Sequence, residues 1–332
     1  MNAHVPAPGA RPRHAPRATD ALHLTGRARK TLRKALIRAY ATAVLTSPPS
    51  ADRSHVPLCE RRYGDATGSP VPLALLGDSL SLSVGAGSGN KAVGAILAER
   101  LAAEAGVPVE LTTVARFGAT AGGLATQVSR LVGRSYPGVA VMCVGGNDVM
   151  VPGRMRTSAR RLRYAVLALR EAGWSVIVLT CPEIRAQPAL RSWVRPIAGW
   201  RSRRLATLQT KAALRAGAHT VSLFDRQVLR GKRGEGMVSS DSFHPSAKCY
   251  SYFLERVAPL ALAAYAERTG HLEARGGREV TLRDAARASV LVPGLQCTPG
   301  RPGYAFTRAL HQEGADLAAE SVEQSTPGRR AG

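Results

Sequence analysis

Between residues 71 and 268 five short apolar runs alternate with five longer stretches of helical periodicity. This alternation predicts an α/β fold, a three-layer α/β/α sandwich around a mostly parallel five-stranded sheet. Two further observations agree. A chain of 332 residues with 45% hydrophobic composition buries a sizeable core, which excludes a disulfide-stapled miniprotein and a fibrous repeat. The residues with chemical potential sit just past the apolar runs, at the carboxyl ends of the expected strands, where open parallel sheets bind their ligands.

In chain order, the apolar run 71–76 predicts the first strand and 91–105 the first helix. A strand over 109–115 leads to a helix over 124–132, and a strand over 139–144 to a helix over 157–172. The last units are a strand over 175–180, a helix over 201–216, a strand over 219–224 and a helix over 245–268, with Pro245 suited to its first turn. Helices following every strand place cover on both faces of the sheet.

The flanks differ in composition. Residues 1–70 read as a basic N-terminal extension. Within it, 1–24 mix Pro, His, Arg and Ala without period and are expected to be disordered, and 47–70 read as a linker. Between them, residues 25–46 set Arg27, Arg29, Lys30, Arg33, Lys34 and Arg38 against Leu32, Leu36, Ile37 and Val44. Such a basic amphipathic helix suits contact with an anionic membrane surface, and packing on the domain is the plainer reading. Residues 269–332, rich in Gly, Arg, Glu and Pro, are expected to form a mostly disordered tail with a small helix over 304–312. The expected division is thus 1–70, 71–268 and 269–332.

Charge and cysteine content narrow the partners. The chain carries 46 Lys and Arg against 23 Asp and Glu, a net +23, and residues 150–235 hold 18 basic and 4 acidic side chains of these. Arginines such as Arg160, Arg161, Arg163, Arg201, Arg203, Arg204 and Arg230 suit phosphate or carboxylate groups, and equally a solvated helical face. No zinc-finger, RRM or KH signature is present and aromatic residues are only 5%, so nucleic acid is not expected as a partner. Cys59, Cys143, Cys181, Cys249 and Cys297 are odd in number, widely spaced and without a CxxC, which indicates neither a disulfide framework nor a zinc site. No apolar run reaches the roughly 18 residues of a membrane span. The run 35–45 is broken by Arg38 and has no clear cleavage pattern after it, which disfavours a signal peptide without excluding one; the cytoplasm is slightly favoured, with secretion or association with a membrane surface as the alternatives. Oligomeric state is not legible.

The chemistry is carried by four short blocks. Gly77-Asp78-Ser79-Leu80 puts a serine hydroxyl just past the first strand. Serine needs a neighbouring base, usually His held by a carboxylate, and Asp241-Ser242-Phe243-His244-Pro245 presents both in one loop. Acyl transfer also needs donors for the developing oxyanion. The backbone N–H of Gly118 and the side-chain amide of Asn147, within Gly145-Gly146-Asn147-Asp148, lie at two further strand ends. The Gly-rich run 85–91 lacks the Gly-Lys-Ser/Thr ending of a P-loop and is not a GxGxxG, so it reads as a loop near the site.

Taken in this order, the four blocks resemble the signature of the SGNH (GDSL-type) hydrolases, whose fold is flavodoxin-like. The similarity covers roughly residues 71–268 and is closest to actinobacterial GDSL-type esterases and lipases. It implies Ser79 as nucleophile, His244 as general base and acid, and Asp241 as the carboxylate that orients it. It implies an oxyanion hole from the N–H groups of Ser79 and Gly118 and the Asn147 amide, and chemistry without metal or organic cofactor. The surroundings of Ser79 are not the GxSxG elbow of the α/β-hydrolases. Lys248-Cys249 stands where related chains usually run to Gly before Tyr250, which bears on substrate range. The expected function is hydrolysis of small-molecule or lipid acyl esters. The alternatives are a narrow carbohydrate O-deacetylase, or a non-catalytic protein binding anionic lipid or nucleic acid on a vestigial hydrolase fold.

Overall fold

The computed structural model describes residues 39, 42–46, 56–133, 136–230, 234–270, 278–299 and 304–307. Contacts divide the chain into residues 1–44 and 45–332, and of the first unit only 39 and 42–44 are described. The expected disordered segment 1–24, nearly all of the amphipathic helix and residues 308–332 therefore lie outside the described residues. The predicted helix does not continue to 46: Leu45 bridges Leu190 and the Thr46 N–H donates to the Ala189 carbonyl at 2.8 Å.

Five parallel strands form the centre, as expected: β2 (Val71–Gly77), β3 (Val109–Thr113), β4 (Val139–Cys143), β5 (Ser175–Leu179) and β6 (His219–Val221). Their spatial order is β3-β2-β4-β5-β6, so the chain reverses direction across the sheet beside β2 and opens a crevice at the carboxyl ends of β2 and β4. In-register pairs carry Gly77 beside Cys143 and Cys143 beside Leu179. The strand ends that bear the signature blocks are therefore neighbours.

Alternation along the strands divides the core. Leu73, Leu75, Val139, Val141, Cys143, Ile177, Leu179 and Val221 point to one face, under α1 (Val93–Ala105) and the last long helix. Ala74, Leu76, Ala140, Met142, Val144, Val176 and Val178 point to the other. There they meet α2 (Leu124–Val132), α4 (Met155–Glu171) and α5 (Arg195–Arg215). Both faces are apolar because both are covered.

Several expectations are corrected. The short α3 (Gly146–Met150) follows β4 directly, too brief for periodicity to reveal. Helix α5 starts at Arg195 and not at 201, because Pro196 lies in its first turn, where a missing N–H is harmless, and Gly199 is tolerated inside it. Helix α6 (Ala247–Thr269) begins after Pro245, with Ser246 as N-cap accepting the Cys249 N–H at 3.3 Å. Within the expected linker, β1 (Arg62–Tyr63) pairs antiparallel with β3.

The largest correction concerns the tail. Its described part is ordered: β7 (Arg278–Val280), α7 (Leu282–Ala288), β8 (Gln296–Pro299) and β9 (Tyr304–Thr307) extend the sheet to nine strands in the order β1-β3-β2-β4-β5-β6-β8-β9-β7. Residues 304–307 form a strand where a helix was expected. Strand β8 runs antiparallel to β6 and covers what would be an open edge, with Leu214, Ala285, Leu295 and Cys297 packed beneath. Strands of three or four residues leave too little pattern to read.

Candidate active site

The Ser79 turn is made by the backbone requirements of its neighbours. Gly77 ends β2 at φ +127°, and a side-chain carbon there would collide with the Cys143 carbonyl of the adjacent strand. Gln127, fully buried on α2, grips the same residue from both sides: the Gly77 N–H donates to Gln127 Oε1 at 2.7 Å, and Gln127 Nε2 donates to the Gly77 carbonyl at 2.8 Å. The Asp78 N–H donates to the Cys143 carbonyl at 3.0 Å, and the Ser81 hydroxyl donates to the Leu76 carbonyl at 2.6 Å. The turn leaves Ser79 nearly buried at the strand end.

Asp78 lies behind it, buried, accepting the Leu80 N–H at 3.0 Å. Burial pushes its carboxyl up to about 7; the Leu80 N–H works against the shift and the charge of nearby Asp148 adds to it. Asp148 is also raised, by burial, against the Ser158 hydroxyl, the Ala121 N–H (3.0 Å) and the Arg161 charge. Its bond to the Ala121 N–H ties α3 to the loop before α2.

The oxyanion candidates meet through that loop. Gly145, at φ +144°, turns the chain from β4 into α3, and Asn147 in α3 donates from Nδ2 to the Ala119 carbonyl at 3.0 Å. An amide nitrogen has two protons, so one remains for a ligand. Gly118, at φ +70°, precedes that contact by one residue, and a side-chain carbon on it would meet only open space. Arg201 holds the far end of α3: its guanidinium donates to the carbonyls of Val149 (2.7 Å), Val151 (2.8 Å), Asp148 (3.0 Å) and Gly153 (3.3 Å). Gln209 of α5 links the ends of β4 and β5, donating to the Val144 carbonyl at 2.7 Å and accepting the Cys181 N–H at 2.7 Å. Neither residue was expected here, nor was Gln127. The available signal was a polar residue on the apolar face of a helix, as Gln127 is among Leu124, Val128 and Leu131.

The histidine comes from the loop before α6. Asp241 Oδ2 lies 2.5 Å from His244 Nδ1, while Oδ1 accepts the Ser239 hydroxyl (2.7 Å) and the N–H groups of Phe243 and His244 (2.9 Å each). Burial pushes the Asp241 carboxyl up, but the His244 ring and these donors outweigh it and bring it down to about 2. Ser242, at φ +58°, forms the bend that lets one carboxylate reach all of them. The ring is flanked by Phe117 (centroids 5.6 Å) and Phe243 (5.1 Å, edge-on), and Gln187 donates to the Phe243 carbonyl.

Ser79, Asn147 and His244 line one cleft that opens to solvent, walled by Ile184, Leu223, Val228, Leu229, Met237 and Phe253. Asp241 reaches it through His244, and Gly118 stands outside the lining, held by the loop that Asn147 grips. The hydrogen bonds among the described residues include none between Ser79 Oγ and His244 Nε2. Such contacts commonly tighten only when substrate is bound. Cys143 and Cys181 are core residues whose thiols burial pushes well above the usual range.

Residues 75–252 match the GDSL-like Lipase/Acylhydrolase family. The chain is 32% identical over 271 residues to a GDSL-like esterase of Mycobacterium tuberculosis, covering 80% of this chain and 79% of that protein. Among solved structures it resembles TesA, with a TM-score of 0.46 and 24% identity over 57% of this chain and 96% of that one. It also resembles the lipase/acylhydrolase from Enterococcus faecalis, with a TM-score of 0.42 and 18% identity over 62% and 99%. The reading as a non-catalytic binding protein gives way to the family match and the mycobacterial relative: the chain belongs to the GDSL-like lipase/acylhydrolase family and is an ester hydrolase.

Proposed function

We propose that the chain hydrolyses acyl esters through an acyl-enzyme on Ser79. His244 Nε2 takes the Ser79 Oγ proton as the oxygen attacks the ester carbonyl. The resulting oxyanion is held by the Ser79 and Gly118 N–H groups and the free Asn147 amide proton. Collapse of the tetrahedral intermediate breaks the bond to the alcohol, which leaves with the proton from His244. Water then attacks the acyl-enzyme while giving a proton to His244, and the acid departs as that proton returns to Ser79. Asp241 keeps the imidazole in the tautomer with its free nitrogen on Nε2 and stabilises the imidazolium.

The observation that carries this reading is the pair Asp241–His244, at 2.5 Å, opening onto the same apolar cleft as Ser79. The apolar wall suits an acyl chain. Hydrolysis of p-nitrophenyl esters from acetate to a long chain, by the parent and by Ser79→Ala at matched folded content, tests it. Loss of turnover by roughly 10³-fold or more in the variant, with the fold retained, is the expected result. A Ser79→Ala protein that keeps the parental rate would refute the assignment. Activity confined to acetate would move the substrate class to a deacetylase.

A further inference from the structure

Resting on the Ser79 reading, we propose that the cleft beside the active site, between the loop after β5 and the first turn of α5, binds an anionic phosphate or carboxylate group carried by the ester substrate. This second cleft, open to solvent, is lined by Arg185, Arg195 and Arg230 together with Ser192 and Leu229, and among the described residues by no acidic side chain. Leu229 lines the Ser79 cleft as well, so the two clefts adjoin. The loop that supplies Arg185 also supplies Ile184 and Gln187 to the Ser79 cleft.

Two of the arginines are held in place by the protein. Arg195 donates from Nε to the Leu190 carbonyl at 3.1 Å and from Nη2 to the Pro188 carbonyl at 3.5 Å, which leaves its remaining N–H donors to other partners. The stem of Arg185 lies over Gly199 of α5, where a side-chain carbon would come within 2.9 Å of it. Among the described residues, none of Arg185, Arg195 and Arg230 forms an ion pair with a carboxylate. The nearest acid in sequence, Glu183, lines the other cleft and accepts the Arg185 backbone N–H at 2.9 Å and the Ser202 hydroxyl at 3.5 Å. Three like charges gathered in one concavity repel one another until an anion enters. Guanidinium groups match the oxygens of phosphate and carboxylate with paired hydrogen bonds. An ester whose reacting carbonyl sits at Ser79 and whose other part carries such a group spans both clefts.

The test compares two butyrate esters with the same acyl group: butyryl-glycerol, which is neutral, and butyryl-glycerol phosphate. The ratio of kcat/KM for the phosphate ester over the neutral one is measured for the parent, Arg185→Gln and Arg230→Gln. Because both substrates report on the same preparation, incomplete folding cancels from the ratio. The expected ratio in the parent is well above one, falling about tenfold in each variant, the loss of one charge-assisted hydrogen bond. A ratio that moves by less than twofold in both variants overturns the subsite. Inorganic phosphate is expected to compete with the phosphate ester. If it instead lowers kcat on the neutral ester, the site serves a free anion and the substrate assignment falls. Failure of the Ser79 reading shows separately, as neutral-ester turnover that survives Ser79→Ala.

Discussion

At the scale of single residues, two carboxylates near the site are pushed in opposite directions by their surroundings. Asp241 is brought down to about 2 by the His244 ring and the N–H and hydroxyl donors around it, and is therefore ionised at neutral pH. Asp78 is pushed up to about 7 by burial, with Asp148 adding to the shift. The unfolded chain ionises Asp78 near 3.8, while the folded chain does not until about 7, so between these values the unfolded state has released the proton and the folded state has not. Stability from this residue is fully present below about pH 4 and is lost as pH rises to about 7. Asp78→Asn keeps an oxygen for the Leu80 N–H and removes the charge. It is expected to flatten that fall and to raise stability at pH 7 by about 1–4 kcal/mol. Urea unfolding of parent and variant at pH 4 and pH 7 checks this: an equal gain at both values would show that ionisation of Asp78 is not the cause.

At the scale of elements, the four signature blocks were legible because each is short, local and placed at a strand end by the alternation of apolar runs. Ser79, Asn147 and His244 could be brought to one cleft on that basis, since β2 and β4 are neighbours in a sheet of this order. What holds the blocks was not legible, because it comes from far along the chain: Gln127 acts 50 residues from Gly77, and Arg201 acts 52 residues from Val149. The cluster of arginines in residues 150–235 read as one basic surface, yet Arg201 is a cap that gathers four carbonyls at the end of α3. Removing it leaves the last turn of a five-residue helix without partners, and that helix carries Asn147. Arg201→Ala is expected to cost about 2–3 kcal/mol of stability and, on the proposed role of Asn147 as a donor to the oxyanion and not to the bound ester, to lower kcat more than it raises KM. Steady-state kinetics beside urea unfolding tests the pair. A stability loss with unchanged kcat would separate the cap from the catalytic geometry.

At the scale of the whole molecule, the hydrolase sheet does not end with the parallel strands. Strand β6 would leave a row of unpaired backbone groups at the edge of the sheet, and β8 covers them through Thr220–Cys297 and Val221–Gln296. The Ser222 N–H donates to the Leu295 carbonyl at 2.9 Å, and the Ser222 hydroxyl donates to the Ser289 carbonyl at 2.5 Å. Beneath them, Thr210 of α5 reaches Ser289 at 3.0 Å. A polar, Gly-rich composition concealed this closure, because its strands are short and its apolar contribution rests on a few residues such as Leu295 and Cys297. A chain ending at Gly270 removes those residues and uncovers Leu214 together with the β6 edge. Each buried leucine contributes about 1.5–3 kcal/mol, and an uncovered edge invites pairing between molecules. The shortened chain is expected to unfold at lower urea concentration, by about 3 kcal/mol or more, and to scatter light on warming before the parent does. A shortened chain with the parental urea midpoint and no added scattering would show that the parallel core does not need β7, β8 and β9.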